Sequence, residues 1–352
     1  MRIIYIASAE SIHSARWISF FSSSNNIIWI TTANPSKETI REYNLLIKKT
    51  TILNAKKLKD LFQIIKVLFF EKYSMVHLHY LGWHSLLTLF MRPGTNLVLT
   101  PWGSDLLINN SFFKKIWFIF LFKKAKYTIC DSDRLKNAAL KLGAKENKIL
   151  VSMFGIDTNS YKANRIIFSD KKKIVIGSNR KLEKIYDVIT LLKTAKSICQ
   201  NRDDIYFLIA GDGSLKSELK KYVSREKLSK KITFLGLLNK EEMHDFYNKI
   251  DIFVSTSLSD GGLSSSIAEA MSFERVVVAT NNSDNSLWIK DCKNGYLFNN
   301  KDSVKLEKII QLISKNKSKN ILIGKSARKI IELNYSYNNE MEKVDRIYKR
   351  FK

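Results

Sequence analysis

Cysteine, proline, acidic residues and long apolar runs are all scarce in this 352-residue chain, and each shortage excludes something. The three cysteines, Cys130, Cys199 and Cys292, stand far apart without CxxC spacing. That argues against a disulfide framework or a zinc site and for a reduced compartment. No stretch approaches the ~20 apolar residues that a spanning helix needs. The opening MRIIYIASAE carries one arginine and a very short apolar run, so it reads as a first strand rather than a signal peptide. Acidic residues number 33 against 59 basic ones, a net charge of +26. Such a field attracts nucleic acid, anionic lipid headgroups or a phosphorylated substrate, and says nothing about fold. Part of the lysine excess is a compositional habit, since Asn and Ile are abundant too. No nucleic-acid-binding module is recognisable, so a nucleic-acid partner is not expected. Hydrophobic content of 45% with 26% charged residues fits a folded globular protein long enough for two domains.

What is present centres on Asp251–Thr280. Ile252–Ser255 is a short β-branched run that reads as a buried strand. Asp260-Gly261-Gly262 lets the backbone turn sharply and lie close to a ligand. Ser264, Ser265 and Ser266 open a helix, and a second strand follows at Val276–Ala279. Strand, glycine-rich turn and helix N-terminus together present amide groups and a positive dipole end to phosphate. Glu269, in the second turn, is placed to accept two hydrogen bonds from a ribose diol. The plainer alternative is a surface helix with a serine cap and a solvated glutamate.

The rest alternates short strands with helices, the signature of a βα sheet. In the first half, strands are expected at Ile3–Ala7, Ile27–Thr31, Met75–His79, Leu97–Thr100, Tyr127–Cys130 and Leu150–Met153, with a helix from about His13 to Ser22. The first loop lacks GxGxxG and so is no dinucleotide fingerprint. A polar stretch, Asn159–Lys173, reads as a linker. The pattern then restarts with strands at Lys173–Gly177, Ile205–Ala210 and Ile232–Leu235 and helices at Ile185–Gln200 and Lys240–Lys249. The basic tail reads as a final helix. His77 and His79, two apart on a strand, are read as one inward and one outward ring, with no third ligand to suggest a metal. Asp131-Ser132-Asp133 matches a metal-binding Asp-x-Asp pattern but is read as loop and helix-cap chemistry. Lys57–Phe70 and Phe112–Lys126 mix bulky apolar residues with lysines. The first is read as a helix packed on the sheet. For the second, packing and a membrane-interface position both stand.

Several motifs in order resemble one family. They are HSARW at His13–Trp17, VHLHYLG at Val76–Gly82 and LTPWGSDLL at Leu99–Leu107, then SNRKLEKIYD at Ser178–Asp187, AGDG at Ala210–Gly213, FLG at Phe234–Gly236 and SLSDGGLSSSIAEAM at Ser257–Met271. Over nearly its whole length the chain resembles retaining GT-B glycosyltransferases of family 4, the bacterial surface-polysaccharide and lipopolysaccharide type. The resemblance implies an α/β protein of two Rossmann-like doubly wound parallel-sheet domains with a cleft between them. Residues 1–165 would bind acceptor, 166–335 would bind donor, and a C-terminal helix within 336–352 would pack back on the first domain. It implies a hexosyl transfer from a nucleotide-diphosphate sugar to a glycan or lipid-linked acceptor, without metal or cofactor, a UDP-sugar being favoured over a GDP-sugar. The expected location is cytoplasmic, peripheral on the inner face of the plasma membrane, with an anionic lipid surface as partner.

The same resemblance implies the site. Donor binding falls to Arg180, Lys184, Gly211, Asp260, Gly262, Leu263, Ser264, Ser265 and Glu269. Arg180 and Lys184 would neutralise the diphosphate, and Arg180 offers paired donors to its oxygens. The family's first glutamate falls on position 261, here glycine, so either Asp260 takes its place or that contact with the sugar is lost. Acceptor binding falls to His13, Arg16, His79, Trp102 and Gly103. Trp102 stands where many relatives carry a histidine, which leaves His13 as the best-placed ionisable group, with Asp105 retained nearby. The catalytic set is therefore Asp105, His13, Arg180 and Lys184. A nucleotide-sugar 2-epimerase of the same fold, or a non-catalytic nucleotide-sugar or membrane-binding subunit, are the alternatives, the latter motivated by Gly261 and Trp102.

Overall fold

The computed structural model describes residues 1–107, 111–152, 155–169, 172–259, 264–282 and 285–352, with the backbone alone at Glu38. These form two compact units, one of Met1–Gly155 with Asn338–Lys352, the other of Ile156–Tyr337.

The first unit is a seven-stranded sheet. Its strands are β1 (Arg2–Ile6), β2 (Asn26–Thr31), β3 (Thr51–Asn54), β4 (Met75–His79), β5 (Asn96–Thr100), β6 (Tyr127–Cys130) and β7 (Ile149–Val151). All neighbours pair in parallel, in the order β3-β2-β1-β4-β5-β6-β7. β1 (RIIYI) and β5 (NLVLT) are buried nearly throughout, as parallel strands covered on both faces must be. The order reverses between β1 and β4, the switch point at which open α/β sheets gather ligands beyond the strands' carboxyl ends.

The helix Tyr337–Tyr348 is keyed into this unit by polar contacts as well as by Met341, Val344 and Ile347. The Tyr348 hydroxyl lies 3.0 Å from that of Tyr5 and 2.5 Å from His77 Nδ1, and accepts from Trp17 Nε1 at 3.3 Å. Glu340, also buried, accepts from Ser152 Oγ at 2.7 Å and pairs with Lys343. Buried polar groups matched in this way specify one docking position.

The second unit repeats the winding with six strands: β8 (Ile174–Ser178), β9 (Ile205–Ala210), β10 (Ile232–Gly236), β11 (Ile252–Ser255), β12 (Val276–Thr280) and β13 (Tyr296–Phe298), in the order β10-β9-β8-β11-β12-β13. The switch point falls between β8 and β11. A Cβ on Gly177 would stand 2.6 Å from Ile250 Cγ2 and 2.7 Å from Phe246, so glycine lets the end of the helix Lys240–Lys249 close on the sheet. Arg275 is fully buried within this unit, donating to the carbonyls of Phe273, Ile250 and Arg165 at 2.6, 2.9 and 2.7 Å. Both units are doubly wound parallel sheets, the fold class that the sequence implies.

Several local expectations need correction. His77 and His79 do not face opposite ways: residues two apart on a strand share a face, and their ring centroids are 4.4 Å apart. The helix expected from Ile185 begins at Val188, after a 3-10 turn at Lys184–Tyr186 and a left-handed Asp187 (φ 45°). β3 and the 3-10 helix Trp83–Phe90 have no counterpart in the sequence reading; the run WHSLLTLF carries neither clear helical nor strand periodicity. The strand expected at Leu150–Met153 is β7, Ile149–Val151, and Met153 lies outside the described residues. Ser132 does cap a helix, its Oγ accepting from the Leu135 amide.

Candidate functional site

In the second unit the site is built where β8 and β11 end. β8 delivers Asn179 and Arg180 directly past its last residue. The helix Ser265–Ser272 follows β11, with Ser264 at its N-cap position. Arg180 Nη1 donates to Ser264 Oγ at 2.5 Å and to Ser266 Oγ at 2.8 Å. Its guanidinium also stacks over Tyr186, 4.5 Å from the ring centroid. With its hydroxyl given to Arg180, Ser264 makes no side-chain cap. The helix start therefore carries a fixed cation beside first-turn amides, both of the sign that suits an anion.

Glu269, one turn on, is partly buried, and its carboxylate accepts from Tyr247 Oη at 2.8 Å. Asn179 Nδ2 donates to the same Tyr247 oxygen at 2.8 Å. Tyr247 is fully buried, and burial followed by the nearby Glu269 charge raises its pKa well above the usual phenol value. It stays a protonated donor, and Glu269 is held from behind. Neither Tyr247 nor Asn179 is among the residues expected from the sequence. Asn179 sits inside a family-like motif, but Tyr247 comes from the preceding helix and bears no local signal.

Gly211 supports this arrangement from the next loop. Its φ is +123°, and a Cβ there would stand 2.4 Å from the Arg180 carbonyl oxygen, closer than a side chain tolerates. The same loop is laced to the Arg180 segment: Leu182 N donates to Asp212 O at 3.0 Å, and Glu183 accepts from the amide and hydroxyl of Ser214 at 2.7 and 2.6 Å. Gly211 thus braces the backbone that aims Arg180. Lys184 is exposed on the 3-10 turn, and Ser265 is exposed at the helix start. Asp260, Gly262 and Leu263 lie outside the described residues.

In the first unit the expected residues gather beyond the carboxyl ends of β1, β4 and β5. The His13 and Trp102 ring centroids are 5.7 Å apart, and those of His79 and Trp102 are 5.8 Å apart. His79 is packed among Tyr5, Trp17, His77 and Trp102, and neither ring nitrogen has a hydrogen-bond partner among the described residues. Burial, then the His84 charge, pulls its pKa down to about 3, so the ring is neutral near pH 7. His77 is lowered too, chiefly by burial; its nitrogens are taken by Tyr348 and by Thr100 Oγ1 at 2.7 Å. His13 is exposed, yet desolvation by its neighbours and then the Arg16 charge lower its pKa as well.

Asp105 is buried, and its carboxylate accepts from the amides of Leu81 at 2.7 Å and Trp102 at 3.0 Å. Burial raises its pKa, against the pull of these hydrogen bonds. It ties the loop after β4 to the loop after β5, where Gly103 turns at φ +104°. In this position Asp105 shapes the mouth formed by Trp102 and its neighbours.

Comparison with known proteins agrees with this architecture. The family described as Glycosyl transferases group 1 matches residues 160–330, and that described as Glycosyl transferase 4-like matches residues 2–132. An uncharacterised glycosyltransferase of Methanocaldococcus jannaschii is 25% identical over 65% of this chain and 60% of its own length. A poly(ribitol-phosphate) alpha-N-acetylglucosaminyltransferase of Staphylococcus aureus is 26% identical over 63% of this chain and 46% of its own length. The matched stretches thus span under two thirds of these two relatives. An Escherichia coli UDP-Gal:alpha-D-GlcNAc-diphosphoundecaprenol alpha-1,3-galactosyltransferase is 26% identical over 83% of this chain and 79% of its own length. Among solved structures, Anabaena HepE in complex with UDP superposes with a TM-score of 0.81 at 16% identity, covering 99% of this chain and 100% of that one. With both halves matched by glycosyltransferase families and both sheets wound in the GT-B manner, this chain belongs to the group 1, family 4-like glycosyltransferases.

Proposed function

We propose that this protein moves a sugar from a UDP-sugar to a lipid-linked or glycan acceptor, with retention of anomeric configuration, in bacterial cell-surface polysaccharide synthesis. The observation that carries the reading is the guanidinium of Arg180, pinned by Ser264 and Ser266 at the start of the helix that bears Glu269. Breaking the anomeric bond builds negative charge on the departing diphosphate. Arg180, the first-turn amides and the exposed charge of Lys184 oppose that charge, and preorganised donors of this kind supply much of the rate in such transfers. They take the part that a divalent ion plays elsewhere, so the transfer is metal-independent. Glu269, oriented by Tyr247, accepts the two ribose hydroxyls.

On the acceptor side, His13, Arg16, His79, Trp102 and Gly103 serve the mouth of the first unit, and a neutral His13 is able to take a proton from an incoming hydroxyl. The α products printed in the names of the E. coli and S. aureus relatives support retention, and the E. coli name supports a UDP donor and a lipid-linked acceptor. The +26 charge supports residence on the anionic inner face of the plasma membrane. No helix among the described residues is long and apolar enough to cross a membrane.

Calorimetric titration of UDP, GDP, CMP and their common sugar conjugates tests the donor half without needing the acceptor. UDP is expected to bind, and Glu269→Ala to weaken it about tenfold, the loss of a charged hydrogen bond. No binding of any nucleotide to the wild-type protein would sink the proposal.

A further inference from the structure

One face of the first unit carries a dense set of exposed apolar side chains. The helix Phe112–Lys124 (FFKKIWFIFLFKK) buries Phe118, Leu121 and Phe122 against the core. That leaves Phe113 81% exposed, with Phe112 and Ile116 exposed beside it. Next to it runs the 3-10 helix Trp83–Phe90, which exposes Trp83, Leu86 and Leu89. Trp117 Nε1 donates to Ser85 Oγ at 2.7 Å and Lys124 Nζ to the Thr88 carbonyl at 3.2 Å, so the two segments form one wall. Large contiguous apolar patches mark interaction sites.

The wall is not flat. Between the segments opens a cavity of about 680 Å³, lined by Leu81, Trp83, Leu86, Phe113, Trp117 and Phe118. Its size lies in the range of about 300–1,000 Å³ that holds one organic ligand. Asp105, whose carboxylate holds the Trp102 loop, also lines it, so the cavity adjoins the proposed acceptor mouth. Lys114, Lys115 and Lys123 stand exposed on the same helix, and neither segment contains an acidic residue. Aromatic residues interleaved with lysine and without carboxylates match the boundary of an anionic bilayer, where phosphate lies beside hydrocarbon.

We infer that this cavity seats the hydrocarbon tail of the acceptor, a phosphate-linked lipid, while Lys114 and Lys115 engage its phosphate and the surrounding headgroups. This rests on the reading of the acceptor as lipid-linked and deepens it. The acceptor then reaches the Trp102 loop without exposing its tail to water, because the tail exchanges one apolar environment for another. Apolar surface left exposed on Trp83, Leu86 and Phe113 is covered in the same step.

The test uses the whole chain with phosphatidylcholine–phosphatidylglycerol vesicles containing a trace of polyprenyl phosphate that carries a diazirine in its tail. After irradiation, crosslinked residues are mapped by mass spectrometry; a parallel sample carries the diazirine on a phosphatidylglycerol tail. Crosslinks concentrated on Leu81, Trp117 and Phe118, and stronger with polyprenyl phosphate, are expected. Leu86→Trp, which fills the cavity from its exposed edge, should lower them about tenfold, as losing burial of a few methylenes would. Lys114→Glu with Lys115→Glu should lower vesicle binding. Crosslinks confined to the outer residues Phe112 and Ile116, equal labelling by both lipids, or none at all would each overturn the inference. UDP titration of the same samples keeps the outcomes apart. Normal UDP binding without cavity labelling removes this site and leaves the transferase; cavity labelling without UDP binding leaves a lipid site on this face but removes the transferase, and with it the lipid's place as acceptor.

Discussion

The two units share one winding and differ at the mouth of the sheet. Past β8 and β11 the second unit gathers an arginine, two serines, an asparagine and a glutamate, joined through the Tyr247 hydroxyl and the serine hydroxyls. Past β1, β4 and β5 the first unit gathers imidazoles and indoles at ring–ring distances, and the ring nitrogens of His79 have no hydrogen bond among the described residues. On the proposed function, one topology is turned to two purposes. Charge that develops on a leaving group calls for fixed donors, which must themselves be held in place. A surface that receives a less polar partner calls for area and shape, and burial keeps the His77 and His79 rings neutral there.

Damage to the polar mouth of the second unit should have the largest effect. Arg180→Ala is expected to lower kcat by about two to three orders of magnitude, as loss of one preorganised donor does. Turnover of a UDP-sugar, measured beside UDP affinity, checks this; the fall in kcat should exceed the fall in affinity, because the charge it opposes grows toward the transition state. A variant turning over near the wild-type rate would show that the cation is structural.

Next in size is a pH effect on the first mouth. His79 has a pKa of about 3 in the folded chain against about 6.5 when unfolded, so its contribution to stability is complete above pH 6.5 and is lost as pH falls toward 3. Between pH 7 and pH 5 this amounts to about 2 kcal/mol, at about 1.4 kcal/mol per pH unit below the unfolded pKa. Urea unfolding at the two pH values should show at least this loss, and His79→Leu should make the profile shallower while leaving the part due to His77, whose pKa burial also lowers. A wild-type stability unchanged from pH 7 to 5 would contradict the buried, neutral imidazole.

Tyr247→Phe tests whether the second mouth is held together by its hydroxyls. It removes the donor behind Glu269 and leaves the ring in place. UDP affinity should fall by about three- to tenfold, the range of one hydrogen bond, with a smaller loss for a diphosphate probe that lacks ribose. An equal loss for both probes would make Tyr247 a general packing residue. The smallest expected effect is that of a chelator: turnover in EDTA should equal that without it, since in the proposed mechanism the positive field is that of Arg180, Lys184 and the helix start. Loss of activity in EDTA and its return with added divalent ion would overturn metal independence.

Much of this is legible in the sequence because the signals are local. Apolar runs such as Ile252–Ser255 and Val276–Ala279 form strands within a residue of where their composition places them. The serines before Glu269 open a helix for the same reason. Tyr247 is not legible, since it joins the site from another helix and nothing near it in the chain requires a phenol. Gly211 stands out as part of a motif, but its reason, contact with the Arg180 carbonyl, exists only where two loops meet. The shared facing of His77 and His79 follows from strand geometry; what the rings meet there does not.

Neighbours along the chain are enough to set the alternation of short buried strands and helices, the basic balance and the residue types at each strand end, and all of these can be read from the linear pattern. Packing in three dimensions was needed to pin Arg180 by two serines 84 and 86 residues away, to set Tyr247 behind Glu269, and to close Tyr348 on His77 in the core of the first unit. Those are hydrogen bonds between groups that meet only when separate strands and helices pack, and no periodicity in a linear pattern encodes a partner so distant.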